Sequence, residues 1–397
     1  MYKKFFFIWI IKFIKIFKVL LISFVIIFIF SLINNKKFVT EEDLNNIQNY
    51  INICLKHKLI KNKIFSKNHN PEISIVISVF NGEPYLKTAL RSIQNQDFNN
   101  IEIIIVDDFS KDNSINLIKS LMKEDHRIIF LNNKENKGSL YTKIKGIFNS
   151  KGKYILTLDV DDLYTSKYVF SNLYREAEKR NLDLLGFSLI LSDKAIKNKL
   201  LNIHHYWETE VLFQPNVSYM MYSFDENNNP RRVGDVISGY FMKREVLIKS
   251  IKEIDNNFLN KKIIRHDDLF IFFLLSRNAK NLKQIKRLYY LVLLNYNYNK
   301  TLVNFHDNEK KKLHLKYGCL SYLYYIQFIL KKTENTYRDK KIASFELENW
   351  YLNNSCRNNT YSRKYGIYLC TLFLKNNFIN IDIKKRIKIF LKELEEV

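Results

Sequence analysis

The feature that most constrains the fold of this chain is an alternation of strand-like and helix-like segments that begins at Glu72. The first segment, Ile73–Val79, reads ISIVISV, and a nearly continuous β-branched run of this length predicts a buried parallel strand. Further strands are predicted at 101–106, 127–131 and 154–158, and helices at 83–96, 113–122 and 138–149. Strands separated by helices predict an α/β fold with a mostly parallel sheet and right-handed crossovers.

Acidic residues stand where the second and fourth of these strands end. They are Asp107, Asp108, Asp159 and Asp161. The carboxyl edge of an open α/β sheet is where ligands bind, and carboxylate oxygens suit Mg²⁺ or Mn²⁺, which can bridge to phosphate. A single Asp at such a position is more often a turn former or helix cap. Two acidic turns after two strands favour a metal and phosphate site.

The first 33 residues are predicted to form a transmembrane anchor. The run Val19–Ile33 carries no charge, but it is shorter than the roughly 20 residues that cross a bilayer. Counting from Phe13, with Lys15 and Lys18 reaching the head groups, gives a sufficient span. A cleaved signal peptide is the alternative, although no A-x-A-like site follows Ile33.

Lysines before the span predict its orientation. They are Lys3, Lys4, Lys12, Lys15 and Lys18, and only Lys36 and Lys37 follow closely. The positive-inside rule therefore predicts a single-pass protein with a cytoplasmic N-terminus, which in a eukaryote would be a type II protein of the Golgi or endoplasmic reticulum. Residues 34–70 are polar and predict a stem, within which Leu44, Ile47, Ile51 and Cys54 would share one face of a short helix.

The formal charge of +24 does not by itself indicate nucleic-acid binding. The lysines are spread over the whole chain and form no concentrated basic stripe, so a general bias towards Lys, Asn and Ile explains them. The four cysteines have no C-x-x-C spacing, which argues against a zinc site. Cys356 and Cys370 could pair in an oxidising compartment, or the cysteines could be buried thiols.

Four segments together resemble the family 2 glycosyltransferases of the GT-A fold. They read ISVFNGEPYL at 77–86, IEIIIVDDFSKDNS at 101–114, NKGSLYTKIKGIFNSKGKYILTLDVDD at 136–162 and RHDDLFIFFLL at 265–275. The resemblance implies a GT-A glycosyltransferase domain over 71–300. The remaining residues, 301–397, lie outside it and predict a helical, strongly aromatic region.

The resemblance also implies a site for a nucleotide-sugar donor. Its donor-binding residues would be Val79, Asn81, Glu83, Asp107, Asp108, Lys143 and Asp159. The family usually has Arg where this chain has Lys143; lysine keeps the charge but loses the planar fork. Asp161, together with Asp159, would bind Mn²⁺ or Mg²⁺.

The family's catalytic base comes from a Glu-Asp pair, which this chain replaces with Asp267-Asp268. Asp268 stands at the second position of the pair and is the preferred base, with Asp267 as the alternative. The resemblance implies inverting transfer from a nucleotide-sugar, with UDP favoured, to an acceptor that the sequence does not identify: a glycan, a lipid or a protein. A catalytically inactive nucleotide-binding protein of the same fold remains the alternative. A nucleotidyltransferase is disfavoured because no Gly-rich loop follows the first strand.

Overall fold

A computed structural model provides the structure of the protein. The residues that it describes are 41–57, 70–192, 202–204, 211–214, 222–224, 230–232, 236–293, 319–329, 342–343, 345–347, 360–375, 384–385, 387–389 and 391–392. The chain divides into two compact units, Met1–Ile47 and Gln48–Val397. The larger unit contains the whole α/β domain.

The observed elements follow the predicted alternation closely. Among the described residues up to 293, the α-helices are α1 Glu41–Leu55, α2 Glu83–Gln94, α3 Ser114–Glu124, α4 Ser139–Phe148, α5 Val169–Arg180, α6 Arg244–Ile251, α7 Asn256–Leu259 and α8 Asp267–Asn278. The strands are β1 Ile73–Val79, β2 Ile101–Asp107, β3 Ile128–Asn132, β4 Tyr154–Asp159, β5 Leu163–Tyr164, β6 Leu184–Ser192, β7 Asn202–His204, β8 Leu212–Phe213, β9 Tyr222–Phe224, β10 Pro230–Arg232, β11 Tyr240–Lys243 and β12 Asn281–Leu293. Asp107 and Asp159 are the last residues of their strands, so the strands extend slightly beyond the predicted ends.

Ten of these strands form one mixed sheet. Its main path has the order β3-β2-β1-β4-β11-β6-β12-β5, with β7 paired to β6 and β8 paired to β12. The strands β3, β2, β1 and β4 run parallel, as predicted. The prediction of a mostly parallel sheet fails beyond β4, because β11 is antiparallel to both β4 and β6. A four-residue strand of this kind has no periodic pattern long enough to read from the sequence.

The strand β1 lies at the centre of the parallel part and is covered on both faces. Val76 belongs to a core shared with α4 and α8, whereas Ile75 and Ile77 face α2 and neighbouring residues of the opposite layer. Gly146 of α4 allows the helix to approach the sheet, because a Cβ there would lie 2.4 Å from Cγ1 of Val76. This packing fixes α4, and with it Lys143, over the strand ends.

Residues at the N-terminal side of β1 are partly described. The predicted anchor, residues 1–33, lies outside the described residues, and among the residues that are described no helix has the length and apolarity to span a bilayer. Within the predicted stem, the hydroxyl of Tyr50 donates to the carbonyl of Ser92 over 2.9 Å. Cys54 is fully buried. Gln48–His57 thus contributes to the larger unit.

The described parts of the C-terminal region are helical. Residues 319–329 and Thr360–Lys375 form helices, and Tyr325 and Phe328 of the first pack against Phe270 of α8, with ring centroids 5.4 and 5.2 Å apart. Cys370 is a free, buried thiol, so the possible pairing of Cys356 with Cys370 is wrong. The surrounding apolar side chains bury the thiol and raise its pKa to about 12.

Candidate active site

The register of the parallel strands brings three strand ends to one edge of the sheet. Val79 of β1 pairs with Asp107 of β2, and the preceding Ser78 pairs with Asp159 of β4. The backbone N–H of Asp108 donates to the carbonyl of Val79 over 2.7 Å. The predicted donor-binding residues Val79, Asp107, Asp108 and Asp159 therefore share one short stretch of this edge.

The loop after β1 is fastened to the loop after β2. Asn81 adopts a left-handed backbone with φ of 52°, which asparagine tolerates better than most residues. Its backbone N–H donates to Oγ of Ser110 over 2.9 Å, and its Oδ1 accepts from the N–H of Lys111 over 2.8 Å. Glu83 accepts from the N–H of Asn113 over 3.2 Å and remains exposed. These contacts align the two predicted nucleoside-binding loops.

The two aspartates that end β2 differ in their surroundings. Asp107 is fully buried, and its Oδ2 accepts from the N–H of Ser110 over 3.0 Å. Its Oδ1 is buried and has no hydrogen-bond partner among the described residues. Asp108 accepts from the amide of Asn133 and the N–H groups of Lys137 and Gly138, each over 2.8 Å. Asp108 thus fastens the loop between β3 and α4, and Asp107 keeps a free acceptor.

The acidic turn after β4 lies against the loop after β1. A Cβ on Gly82 would lie 2.8 Å from Cγ2 of Val160, which places the turn that contains Asp159 and Asp161 next to that loop. Both of these side chains remain partly exposed. Asp162 is buried instead and accepts from the hydroxyl of Tyr290 over 2.8 Å.

Lys143 joins the predicted metal motif to the predicted base. Its ammonium lies 3.2 Å from Oδ1 of Asp159, 2.8 Å from Oδ2 of Asp267 and 2.8 Å from Oδ1 of Asp268. Asp267 also accepts from the hydroxyl of Ser139 over 2.9 Å. Because Asp267 and Asp268 occupy the first turn of α8, the positive end of the helix dipole also favours their charge.

The surroundings of Asp267 and Asp268 shift the pKa values of these two carboxyl groups in opposite directions. Burial alone would lower the pKa of the Lys143 ammonium, but the three carboxylates hold it well above its ordinary value. Burial favours a raised pKa for Asp267, yet Lys143 and Ser139 hold it below the usual range. Burial raises the pKa of Asp268, with Lys143 opposing and Asp267 and Asp159 adding to the shift. Carboxyl groups with separated pKa values in one cluster are typical of acid–base sites.

The acidic turn fits a divalent cation that is shared with a phosphate ligand. Within the described ranges no group of three or more His, Cys, Asp or Glu side chains is arranged to hold a metal. Asp159 and Asp161 offer hard oxygen atoms, and 38% of the Asp159 side chain is exposed. Mg²⁺ commonly binds through one or two carboxylates and takes its remaining ligands from substrate phosphates and water.

Two residues of the site were missed in the sequence. Ser139 holds Asp267, and Tyr290 contacts both Asp162 and the backbone N–H of Asp159, the latter over 3.2 Å. Ser139 follows Gly138 at the start of α4, and its position in the sequence indicates only a helix start. Tyr290 comes from β12, and no local pattern links it to β4.

This fold, with acidic turns at the carboxyl edge of a curled mixed sheet, is that of the GT-A glycosyltransferases. The solved structure of Staphylococcus aureus TarS 1-349 in complex with UDP-GlcNAc is similar, with a TM-score of 0.54 over 82% of this chain and 90% of that chain. At 14% identity, this likeness concerns the fold alone.

The sequence comparisons identify one matching family and several similar proteins. Residues 74–251, which include Lys143 and the acidic turns after β2 and β4, match the family described as glycosyl transferase family 2. A Campylobacter jejuni relative named GalNAc(5)-diNAcBac-PP-undecaprenol beta-1,3-glucosyltransferase is 36% identical over 30% of this chain and 39% of its own length. The glycosyltransferase GlyG of Streptococcus pneumoniae is 34% identical over 28% of this chain and 37% of its own. The chain thus spans less than two-fifths of these relatives' lengths.

Proposed function

We propose that the protein transfers a sugar, with inversion, from a nucleotide-sugar to an acceptor hydroxyl. The observation that carries this proposal is the Lys143 cluster. One buried ammonium holds Asp159 of the strand-end turn and Asp268 of a helix start, and Lys143 and Asp268 stand 125 positions apart in the chain. A donor-binding edge and a candidate base thereby adjoin one another, as a displacement at the anomeric carbon requires.

Each residue of the site would have a separate role in the proposed transfer. Val79, Asn81 and Glu83, with Asp107, would bind the nucleoside, and the buried Oδ1 of Asp107 has no hydrogen-bond partner among the described residues. Asp268 would accept the proton of the acceptor hydroxyl as its oxygen attacks the anomeric carbon and the nucleoside diphosphate leaves. Lys143 would hold Asp268 in place, and Asp267 would stay ionised beside it.

A divalent cation belongs to the proposal. Asp161 and Asp159 would hold Mn²⁺ or Mg²⁺, which would neutralise the charge that develops on the leaving diphosphate. Asp108 is proposed to act on the donor through the loop that it fastens, since its oxygens already accept three hydrogen bonds from the protein.

The location and the acceptor are also proposed. The charge pattern around Val19–Ile33 supports a single-pass anchor with a cytoplasmic N-terminus. The Campylobacter jejuni relative is named for an undecaprenol-linked acceptor, so a polyprenyl-diphosphate-linked glycan is the first acceptor to test. UDP is the preferred nucleotide of the donor.

The test is a donor panel with the purified full-length chain. UDP- and GDP-sugars are incubated with Mn²⁺, Mg²⁺ or EDTA, with and without a polyprenyl-diphosphate-linked glycan, and release of the nucleotide and transfer of the sugar are measured. We expect one donor to be consumed, only with metal present, and the product to have the anomeric configuration opposite to that of the donor.

Two results would contradict the proposal. Retention of the donor's anomeric configuration would exclude the single displacement. Tight nucleotide binding without turnover across the whole panel would instead favour an inactive nucleotide-binding protein.

A further inference from the structure

The residue immediately before the Asp267-Asp268 pair has an unusual backbone. His266 is left-handed, with φ of 59° and ψ of 17°, a conformation that side chains with a Cβ rarely adopt. Such a strained backbone persists where its surroundings hold it, often at functional sites. Its carbonyl accepts the N–H of Leu269 over 3.2 Å, so this backbone directs the first turn of α8.

The C-terminal region provides the contact on one side of His266. The ring of Tyr322 stacks on the imidazole, with centroids 4.9 Å apart and planes 28° apart. Tyr322 is itself 8% exposed, and its hydroxyl donates to the carboxylate of Glu346, which is fully buried. A buried ring that stacks on a neighbouring ring restrains the residue that carries that neighbour.

The start of α4 contacts the same loop at Ile263. Gly138, with φ of 89°, lies so close to this loop that a Cβ would be 2.5 Å from the carbonyl oxygen of Ile263. The N–H of Leu140 donates to the same carbonyl over 3.3 Å. The loop 263–266 is therefore held between the helix that carries Lys143 and the helical residues 319–329.

We propose that Tyr322 is a positioning residue for the Asp267-Asp268 pair. Its ring, stacked on the imidazole, keeps His266 in the left-handed conformation and so sets the two carboxylates against Lys143. This gives the C-terminal region, which lies beyond the matched family domain, a part in the reaction. The inference rests on the proposed function for the nature of that reaction and on the geometry for the positioning.

The kinetic test compares three variants of the full-length chain. Tyr322→Leu removes the stacking ring, and Tyr322→Phe keeps the ring but loses the hydroxyl. Tyr324→Leu is the matched control, because Tyr324 lies on the same helical segment and contacts Lys261, with Nζ 3.8 Å from the ring centroid. We expect kcat of Tyr322→Leu to fall roughly tenfold to hundredfold, with the Kd for the donor unchanged. Tyr322→Phe and Tyr324→Leu should stay close to the wild type.

A second measurement does not depend on turnover, and it adds a variant at His266. His266→Gly can keep the left-handed backbone, because glycine adopts it freely, but it loses the ring contact. Hydrogen exchange of peptides that contain residues 264–269 should be faster in Tyr322→Leu and His266→Gly than in the wild type and in Tyr324→Leu. If the wild type turns over no donor, the proposed function fails, and these exchange rates still decide the positioning.

Three results would overturn the positioning role. They are a Tyr322→Leu enzyme with wild-type kcat and unchanged exchange, a Tyr324→Leu enzyme as slow as Tyr322→Leu, and a Tyr322→Phe enzyme that is equally slow. The second result would indicate a general packing effect. The third would show that ring stacking is not the cause.

Discussion

The ammonium of Lys143 lies 2.8 Å from the carboxylate of Asp268, and only 4% of the lysine side chain is exposed. A buried cation in contact with three carboxylates has exchanged its hydration for those contacts. Removing the cation would leave the carboxylates close together and unpaired, which is far more costly than losing a surface ion pair.

Lys143→Met should therefore destabilise the protein strongly. Removal of one partner from a buried ion pair costs about 3–5 kcal/mol, and urea unfolding measures the loss. Lys143→Arg keeps the charge and should lose much less. The control is Lys153→Met, whose ion pair with Glu178 is 45% exposed on the lysine side and is worth about 0–1 kcal/mol. Equal urea midpoints for Lys143→Met and the wild type would contradict the structural role of the cluster.

Asp268→Asn should stop transfer while sparing donor binding. The amide cannot accept the acceptor proton, and loss of a general base lowers the rate by about 10²–10⁴-fold. Transfer rates and the Kd for the donor are measured for Asp268→Asn and Asp267→Asn side by side. An active Asp268→Asn enzyme beside an inactive Asp267→Asn enzyme would assign the base to Asp267.

The rate of transfer should rise with pH above the range in which an ordinary aspartate titrates. Burial raises the pKa of Asp268, and Asp267 and Asp159 add to this shift against the opposing effect of Lys143. The ionised form, which is the base, therefore becomes abundant only at higher pH. A profile of kcat/KM that is flat from the acidic side to the alkaline side would contradict this assignment.

The same raised pKa has a stability consequence of defined sign. The folded state holds the Asp268 proton more tightly than the unfolded state, so the contribution to the free energy of unfolding is complete below the unfolded pKa. It is lost as the pH rises through the raised folded pKa. Relative to Asp268→Asn, the wild type should lose stability over that range in urea unfolding at a series of pH values. A constant difference between the two proteins would count against the shift.

Asp161→Ala should abolish metal-dependent transfer. Loss of one of two carboxylate ligands weakens Mn²⁺ binding, which calorimetry with nucleotide present would detect. Asp97→Ala serves as the control, because Asp97 is exposed and contacts Ser171 away from the strand ends. Near-normal turnover of Asp161→Ala would remove this residue from the metal site.

Gly138→Ala should destabilise the fold and slow transfer. The left-handed backbone at this position costs a residue with a Cβ about 1–3 kcal/mol, and the added carbon would meet the carbonyl oxygen of Ile263 at 2.5 Å. Gly239→Ala is the control for stability, since its Cβ would meet Leu189 at an ordinary 3.4 Å. A Gly138→Ala protein with the wild-type melting temperature would show that the loop 263–266 can move to accommodate the added Cβ at little cost in stability.

The parallel core and its acidic edge were predictable because both depend on local pattern. The run Ile73–Val79 is apolar except at Ser74 and Ser78, and Asp107 and Asp159 follow similar runs directly. Once the strands are parallel, their carboxyl ends must meet at one edge. The prediction of a shared edge for these residues is confirmed by the pairing register.

The contacts that complete the site were not predictable because they are not local. The family resemblance singled out Lys143 as a donor-binding residue, but its contact with Asp268 depends on how α8 packs beside α4. The antiparallel strand β11 enters between β4 and β6, and β12 brings Tyr290 to Asp162. Only the assembled tertiary structure specifies these neighbours.

The N–H of Gly138 donates to Asp108 at the end of β2, while its Cα faces Ile263 in the loop before α8. One glycine thus joins the half of the domain that would select the donor to the half that would activate the acceptor. Neither half can be exchanged by itself between related enzymes without disturbing the other. A chimera that replaces the donor-binding segment should therefore lose the packing of Gly138 against Ile263 unless the segment around Ile263 is transplanted with it.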